Sequence, residues 1–349
     1  MEFSNEKYIG VGNVPIGIGA QLKGWAIEEE KFRSPDNLPV VDFLAMTHAC
    51  PHDCYFCFTC KIGKNISIDE IKRTIDQLAE AKAHAVNFVG EGEPTIDKDF
   101  FEILEYTASK NIQPVIFTDA ATKLRDRDFV RRMRKTGASV APKCDSLFNP
   151  IYQNWLVQSK RLGPFGNLTD AQREVLKNDE FFHQRNEAIQ ILMEEGFNEI
   201  SPDGTTRMGF DMVITKANLH EVERTLRFCR DNNLWIVFAF FIPAGRSACA
   251  DFDQSLTVSE EEKQTVRKLV QQTDRDDYGF EHDVYTNFIT MPCVEFMQIR
   301  GNGDITPCPG NPTVIGNIRE STIRDAQKIM MERFPCHNPM VFDGKCLYR

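Results

Sequence analysis

Three closely spaced cysteines constrain this chain more than any other feature of its sequence. Cys50, Cys54 and Cys57 follow a C-x3-C-x2-C spacing, with the aromatic residue Phe56 directly before the third. A loop this short brings three thiolates together, and thiolates are the ligands that hold iron–sulfur clusters. A cubane 4Fe–4S cluster has four irons, so three cysteines leave one iron open to a further ligand. The loop therefore predicts a cluster whose fourth iron can bind a small molecule.

Two other roles are compatible with cysteines in this region. Cys54, Cys57 and Cys60 also run C-x2-C-x2-C with two histidines nearby, and such side chains can bind structural zinc. Zinc motifs usually bring their second pair of ligands a dozen or more residues later, whereas the next cysteine here is Cys144. Disulfides are disfavoured because nothing at the N-terminus resembles a signal peptide. The spacing favours an iron–sulfur cluster over both alternatives.

A helix, a strand and a glycine-rich turn follow the cysteine loop. Ser67 and Glu70 form a capping box that begins the helix, and the apolar run 85–89 predicts a buried parallel strand. The turn that ends this strand has the sequence Gly-Glu-Gly-Glu-Pro over 90–94. Together these elements resemble the start of the radical SAM superfamily, whose signature the cysteine loop matches at every defining position.

The resemblance implies two cofactors and a reaction. In this family the three cysteines hold a 4Fe–4S cluster, and S-adenosylmethionine (SAM) chelates the open iron through its amino and carboxylate groups. An electron from a flavodoxin- or ferredoxin-type reductant then cleaves SAM, and the resulting 5′-deoxyadenosyl radical abstracts a substrate hydrogen. Gly92 and Glu93 match the family's GGE element, which binds the SAM amino group through backbone carbonyls and an anionic acceptor, and Phe56 belongs to the cluster motif. Glu91 stands where the family has a second glycine, which leaves its role open.

Strands and helices alternate through the middle of the chain, as in βαβ units around a parallel sheet. Six strands are predicted, at 39–46, 85–89, 114–118, 139–144, 208–215 and 234–242. Later helices are predicted at 97–111, 123–136, 181–196 and 218–232. This order matches the α/β fold of the radical SAM core, a partial (β/α)6 TIM-like barrel. The chemistry of such barrels lies at the C-terminal ends of the strands.

Polar residues follow the fourth predicted strand of the barrel. In the family, residues at this place commonly hydrogen-bond the ribose and carboxylate of SAM. Ser146 is the best match, and Lys143 and Asp145 are further candidates for cofactor binding that rank below it. The alternative is that they are a hydroxyl and two charges on a solvated surface loop.

Four regions are expected along the 349 residues. Residues 1–38 form an N-terminal extension, and residues 39–245 form the barrel. The barrel contains a polar insertion, 147–180, whose length and place at the active mouth favour a substrate lid over a surface excursion. Residues 246–290 supply a linker and a helix, and residues 291–349 a small cluster-binding domain.

Composition limits the partners of this chain. A net charge of −10 argues against nucleic acid as a partner, because phosphate binding needs a basic surface. The longest unbroken apolar run, 234–244, is too short to span a membrane. Eleven cysteines without a secretory signal indicate the reducing cytoplasm and metal–sulfur chemistry.

A second group of cysteines lies in the C-terminal region. Residues between Cys293 and Cys308 alternate around a Gly-Asn-Gly turn, which predicts a β-hairpin with both cysteines at its open end. A helix follows, and then Cys336 and Cys346. This order resembles the twitch domain, the shortened form of the SPASM domain, and implies a second, auxiliary 4Fe–4S cluster held by all four cysteines. Structural zinc, or an auxiliary cluster with one open iron, are the alternatives.

The resemblance favours an oxidoreductase. A fully ligated auxiliary cluster would accept an electron from the substrate radical, so oxidation of a small molecule such as a sugar, aminocyclitol or nucleoside is expected. A peptide maturase is one alternative. A redox-neutral epimerase is another, in which Cys249, just beyond the sixth predicted strand, returns a hydrogen atom to the substrate.

Overall fold

The computed structural model describes most of the barrel and parts of the two terminal regions. The described residues are 8–10, 21–28, 36–38, 40–44, 46–54, 56–59, 63, 65–241, 245–248, 256–279, 297–308 and 311–337. Four cysteines named above, Cys60, Cys249, Cys293 and Cys346, lie outside these residues. Within these ranges no helix has the length and apolar character that crossing a membrane requires.

Six parallel strands form the core, and a short sheet precedes them. This short sheet pairs β1 (Tyr8–Gly10) with β2 (Ala26–Glu28) in antiparallel fashion. The core strands are β3 (Val40–Phe43), β4 (Ala85–Phe88), β5 (Gln113–Thr118), β6 (Ser139–Pro142), β7 (Gly209–Ile214) and β8 (Trp235–Phe240). Strands β3 to β6 pair in chain order, β7 pairs with β8, and isolated bridges join Val140 to Met208 and Lys143 to Asp211. The predicted partial (β/α)6 barrel is confirmed.

Helices connect the strands, as the sequence pattern predicted. They are α1 (Ile68–Glu80), α2 (Phe100–Ser109), α3 (Arg127–Lys135), α4 (Pro150–Leu156), α5 (Ser159–Leu162), α6 (Asp170–Lys177), α7 (Glu180–Glu194), α8 (Val222–Asp231), α9 (Glu260–Thr273) and α10 (Ile323–Arg333). The predicted capping box begins α1: the Glu70 amide donates to Ser67 Oγ at 3.3 Å, and the Ser67 amide donates to Glu70 Oε2 at 2.7 Å. The apolar positions of α1 are buried in the main core.

Alternate residues of each strand face opposite sides of the sheet. Val41 and Phe43 pack in the large core together with residues of the surrounding helices. Val40, Ala85 and Val115 instead belong to a smaller apolar cluster inside the barrel, which Trp25 joins. The segment that contains Trp25 therefore fills the end of the barrel at which the strands begin.

One polar network lies within this interior. Asp42 accepts hydrogen bonds from Asn87 Nδ2 at 2.9 Å and from Gln298 Nε2 at 3.3 Å, and Trp25 Nε1 donates to Asn87 Oδ1 at 2.8 Å. Burial raises the pKa of Asp42 to about 6, although both side-chain donors oppose the rise. The network therefore links strands β3 and β4 to Gln298, which lies far along the chain. Its formation removes the Asp42 carboxyl from water, which is unfavourable for the charged form.

The insertion 147–180 is folded rather than extended. Tyr152, Trp155 and Leu156 of α4 pack with Leu168 and Leu176 in a separate apolar cluster. A capping box of Thr169 and Gln172 begins α6. The insertion is thus a helical unit with its own core, and its role as a lid stays a prediction.

The C-terminal region continues the barrel sheet. Strands β9 (Met297–Ile299) and β10 (Asp304–Thr306) form the predicted hairpin, and β11 (Gly316–Asn317) pairs with β10. Strand β9 pairs in parallel with β3, so the hairpin extends the sheet past its first core strand. Helix α10 contacts α1, where the Ile323 amide donates to Gln77 Oε1 at 2.9 Å. The predicted boundary at 291 falls outside the described residues.

Asp42→Asn should remove a pH dependence from the stability of the cluster-free protein. The folded-state pKa of about 6 lies above the unfolded value of roughly 3.9, so the native state binds this proton more tightly. Its stabilising effect is present below about pH 4 and is lost as the pH rises through about 6, a change of roughly 3 kcal/mol. Urea unfolding at pH 4.5 and pH 7 should show the variant gaining about 2 kcal/mol of unfolding free energy relative to wild type over this interval, which spans about two thirds of the full change. The exposed Asp170→Asn change is the control, and an equal pH response in wild type and Asp42→Asn would refute the assignment.

Candidate functional site

A cavity of about 330 Å³ opens at the C-terminal ends of the core strands. It is lined by the cysteine loop, by the turn after β4, by the inward-facing ends of β5 to β8 with the segments that follow them, and by Val157 of the insertion and Phe181 of α7. The predicted site residues Cys50, Cys54, Phe56, Cys57, Gly92, Glu93 and Lys143 all line it. The structure therefore brings together most of the residues that the sequence identified for the cluster and for SAM.

The turn after β4 packs directly against the start of the cysteine loop. A Cβ atom placed on Gly92 would lie 2.2 Å from the carbonyl oxygen of Ala49, and the Glu93 amide donates to that same oxygen at 2.9 Å. No side chain fits at position 92 unless the loop moves. The glycine is thus required by the contact between this turn and the cysteine loop.

The insertion holds the middle of the cysteine loop. The Asp53 amide donates to the Val157 carbonyl at 2.9 Å, and the Lys160 amide donates to the Asp53 carbonyl at 3.2 Å. Phe56 packs against the apolar cluster of the insertion. Part of what the sequence suggested as a lid therefore supports the cluster-binding loop from outside.

The segment after β8 holds the end of the loop. The Arg246 amide donates to the Cys57 carbonyl at 3.0 Å, and Arg246 Nη1 donates to Asp53 Oδ1 at 2.8 Å. Gly245 has a φ of +56° and lies so close to the Phe58 backbone that a Cβ atom would come within 2.2 Å of it. Gly245 and Arg246 together therefore fix the end of the cysteine loop.

The thiols fit a cluster with three protein ligands. All three thiols line the same cavity. Burial raises the pKa of the Cys54 thiol, and the neighbouring Cys57 and Cys50 raise it further. Thr59 Oγ1 is 3.5 Å from Cys57 Sγ, and hydrogen bonds to cluster sulfurs tune reduction potentials. Among the described residues, no three His, Cys, Asp or Glu side chains are arranged to hold one metal ion. Each thiol of a cubane binds a different iron, so this spacing suits a cluster better than a single zinc ion.

Glu93 is buried and strongly hydrogen-bonded. Its Oε1 accepts from the Thr95 amide at 3.1 Å and from the hydroxyls of Thr95 and Thr118 at 2.6 Å each. Its Oε2 accepts from the Asp119 amide at 2.7 Å. Burial and the charge of Asp119 raise the pKa of Glu93 to about 8, against the effect of these donors. Only Oε2 has hydrogen-bonding capacity left for a ligand ammonium, because three donors already occupy Oε1.

Lys143 forms a half-buried ion cluster in the wall of the cavity. Its Nζ lies 3.0 Å from Asp211 Oδ2, 3.2 Å from Asp145 Oδ1 and 5.4 Å from the centre of the Phe56 ring. Burial opposes its charge, but the two carboxylates prevail and raise the pKa of Lys143. Among the described residues, Asp145 Oδ2 is a buried oxygen without a hydrogen-bond partner. A ribose hydroxyl of SAM is the kind of donor that would satisfy it.

Ser146 is not brought to the cavity with Lys143. Its hydroxyl donates to the carboxylate oxygens of Glu221 at 2.7 and 2.8 Å and accepts from the Asn149 amide at 3.0 Å. This fully buried side chain therefore fixes the turn instead of facing a ligand. Asp145, which the sequence ranked below Ser146, takes its place in the lining of the cavity.

A histidine–aspartate pair in the cavity was missed from sequence. His52 Nε2 is 2.8 Å from Asp119 Oδ2, and the His52 ring packs edge-on against Phe181. Asp119 also accepts from the Thr122 hydroxyl at 2.6 Å. Its place directly after a strand was a signal for Asp119, but nothing in the sequence pairs it with the cysteine loop.

The two described auxiliary cysteines lie away from this cavity. Cys308 follows β10, which runs antiparallel to the core strands, and packs against the interior cluster around Trp25. It therefore lies near the end of the barrel at which the strands begin. Cys336 is buried in the main core beyond α10. The other two predicted auxiliary ligands fall outside the described residues, so the auxiliary site stays a prediction.

Comparison with known proteins identifies the family. The model of the radical SAM superfamily matches residues 44–229, more than half of the chain. The chain therefore belongs to the radical SAM superfamily, whose members use a 4Fe–4S cluster and SAM, and it is a radical SAM enzyme.

Individual relatives of this chain align with it over only part of their own length. The PqqA peptide cyclase of Bradyrhizobium diazoefficiens is 32% identical over 94 residues, covering 26% of this chain and 24% of the cyclase. The Fe-coproporphyrin III synthase of Methanosarcina barkeri is 26% identical over 260 residues, covering 72% of this chain and 56% of the synthase. The chain thus spans about a quarter of the first relative and about half of the second.

A solved structure shares the fold. Streptococcus suis SuiB, bound to its precursor peptide SuiA, superposes with a TM-score of 0.59 and 15% identity, covering 86% of this chain and 66% of SuiB. At this identity the similarity shows a shared fold and nothing more specific.

Gly92→Ala should weaken SAM binding and lower the retention of iron. The added methyl must displace the Ala49 backbone, and overpacking of this kind typically costs about 1–3 kcal/mol, or roughly tenfold or more in affinity. Iron analysis and SAM titration of anaerobically reconstituted protein measure both effects. Gly166→Ala is the matched control, since no described atom lies within 4 Å of the added carbon. Normal iron and SAM affinity in Gly92→Ala would show that the loop and turn move independently.

Proposed function

We propose that this protein is a radical SAM peptide maturase, which removes a hydrogen atom from a residue of a precursor peptide. The relative with the highest identity discussed above is named a peptide cyclase, and the structural neighbour SuiB was solved with a precursor peptide. These similarities support the peptide alternative over the small-molecule oxidation that the sequence favoured.

The size of the cavity supports a substrate that reaches in from outside. A volume of about 330 Å³ lies at the lower end of the range for sites that hold one small molecule. Once SAM occupies it, little room remains among the described residues for a second complete molecule. A peptide can meet this restriction, because it presents one side chain at the mouth while the rest of its chain lies outside.

The residues of the cavity have distinct tasks in this proposal. The chemistry that the cluster and SAM supply when bound is one-electron cleavage of SAM followed by removal of a substrate hydrogen. Cys50, Cys54 and Cys57 would hold the cluster, while Glu93 and the Lys143 ion cluster would orient the polar ends of SAM. The apolar lining, which includes Phe117, would exclude water from the reacting atoms.

The auxiliary site defines the proposed reaction class. A second 4Fe–4S cluster held by Cys293, Cys308, Cys336 and Cys346 would accept the electron that the substrate radical loses, which makes the overall reaction an oxidation. Cys249 as a hydrogen donor is the epimerase variant of this proposal. Either reaction would run in the cytoplasm with a flavodoxin- or ferredoxin-type reductant.

A tetrapyrrole is the second candidate substrate. The Fe-coproporphyrin III synthase aligns with 72% of this chain, a far larger share than the peptide cyclase does. The two candidates differ in size and chemistry, so one experiment distinguishes them.

Deuterium transfer into 5′-deoxyadenosine tests the substrate class. The reconstituted enzyme is incubated with SAM, dithionite and either deuterated peptides encoded beside its gene or a deuterated iron tetrapyrrole precursor of Fe-coproporphyrin III. We expect mass spectrometry to find deuterated 5′-deoxyadenosine only with a peptide, because the abstracted atom is retained in that product. Transfer from the tetrapyrrole alone would overturn the peptide proposal and favour the second candidate. The triple variant Cys50→Ala, Cys54→Ala, Cys57→Ala is the control for non-enzymatic exchange.

A further inference from the structure

An ion pair joins the SAM-binding turn to the C-terminal hairpin. Arg300 Nε and Nη2 both contact Glu91 Oε1, at 3.0 and 2.9 Å. The Glu91 side chain is only 1% exposed and that of Arg300 is 17% exposed, so the pair is largely shielded from water. Glu91 occupies the place where the family resemblance predicts a second glycine, and the pair gives this side chain a structural role.

Backbone hydrogen bonds connect the two partners as well. The Leu44 amide donates to the Ile299 carbonyl at 2.8 Å, and the Glu91 amide donates to the Leu44 carbonyl at 3.3 Å. Arg300 directly follows β9, and Glu91 lies two residues before Glu93. The hairpin, strand β3 and the SAM-binding turn therefore form one continuous hydrogen-bonded structure.

The buried Glu91 carboxylate is held in part by Arg300. Replacing Arg300 removes two charge-assisted contacts from this shielded group, which favours a shift of the carboxylate toward water or its protonation. Glu91 stands between Gly90, which has a φ of +69°, and Gly92, which contacts the cysteine loop. A shift of Glu91 would therefore change the shape of the turn that lines the cavity.

We propose that Arg300 is a positioning residue, which fixes the SAM-binding turn through Glu91 and makes SAM affinity depend on the C-terminal hairpin. The role of the hairpin would thus include shaping the first active site, in addition to any metal that its cysteines bind. This inference rests on membership of the superfamily and is independent of whether the substrate is a peptide.

SAM titration of the reconstituted protein tests the proposal. Arg300→Gln should raise the dissociation constant for SAM at least tenfold while the iron content stays that of wild type. Arg319→Gln is the matched control: Arg319 also joins the C-terminal region to the core, through Glu70 Oε1 at 2.6 Å and the Asn65 carbonyl at 2.9 Å, but none of these residues lines the cavity. Its SAM affinity should stay within about twofold of wild type.

Two further variants separate positioning from general stability. Arg300→Lys keeps the charge and should restore part of the affinity, and adding Glu91→Gln to Arg300→Gln should weaken binding no further, because the two residues act as one unit. Should Arg300→Gln fail to fold, Glu91→Gln and Arg300→Lys still report on SAM affinity. Unchanged affinity in the Arg300 variants, or an equal loss in Arg319→Gln, would overturn the proposal.

Discussion

The site depends on how the cysteine loop is held, because its described residues, 46–54 and 56–59, form no helix or strand. Its start lies against Gly92, where only a glycine allows the Ala49 carbonyl to approach. Its middle bonds to the insertion at Val157, and its end bonds to Arg246. Other parts of the chain thus set the positions of the three thiols. The loss of any of these contacts would displace the cysteines that are predicted to bind the cluster.

These contacts also determine how the cysteine loop crosses the mouth of the barrel. The loop leaves the first core strand, β3, and makes its last contacts beyond the final one, β8, so it spans the mouth from one edge to the other. On the other side of β3, the C-terminal hairpin extends the same sheet and reaches the SAM-binding turn through Arg300. A change in how the C-terminal hairpin packs on β3 is therefore expected to alter the turn that contains Glu91, and with it cofactor binding.

The structural features that depend on neighbouring residues could be predicted from the sequence. All six core strands and the capping box at Ser67 were found, since alternation and capping are encoded by neighbouring residues. The second capping box, at Thr169, offered the same kind of signal and would have revealed that the insertion is helical. The Glu91–Arg300 and Asp53–Arg246 pairs could not be predicted, because they join residues about two hundred positions apart. Ser146 failed as a ligand candidate for a related reason: its hydroxyl meets Glu221, which lies 75 residues further on.

Anaerobic cleavage of SAM is the measurement that tests the central claim most directly. With a strong reductant, the reconstituted wild-type protein should release 5′-deoxyadenosine and methionine in equal amounts. A variant that lacks the thiols of Cys50, Cys54 and Cys57 should release neither, although it keeps the fold. Cleavage that survives the loss of these three thiols, or its absence from wild-type protein with a full complement of iron, would contradict the account.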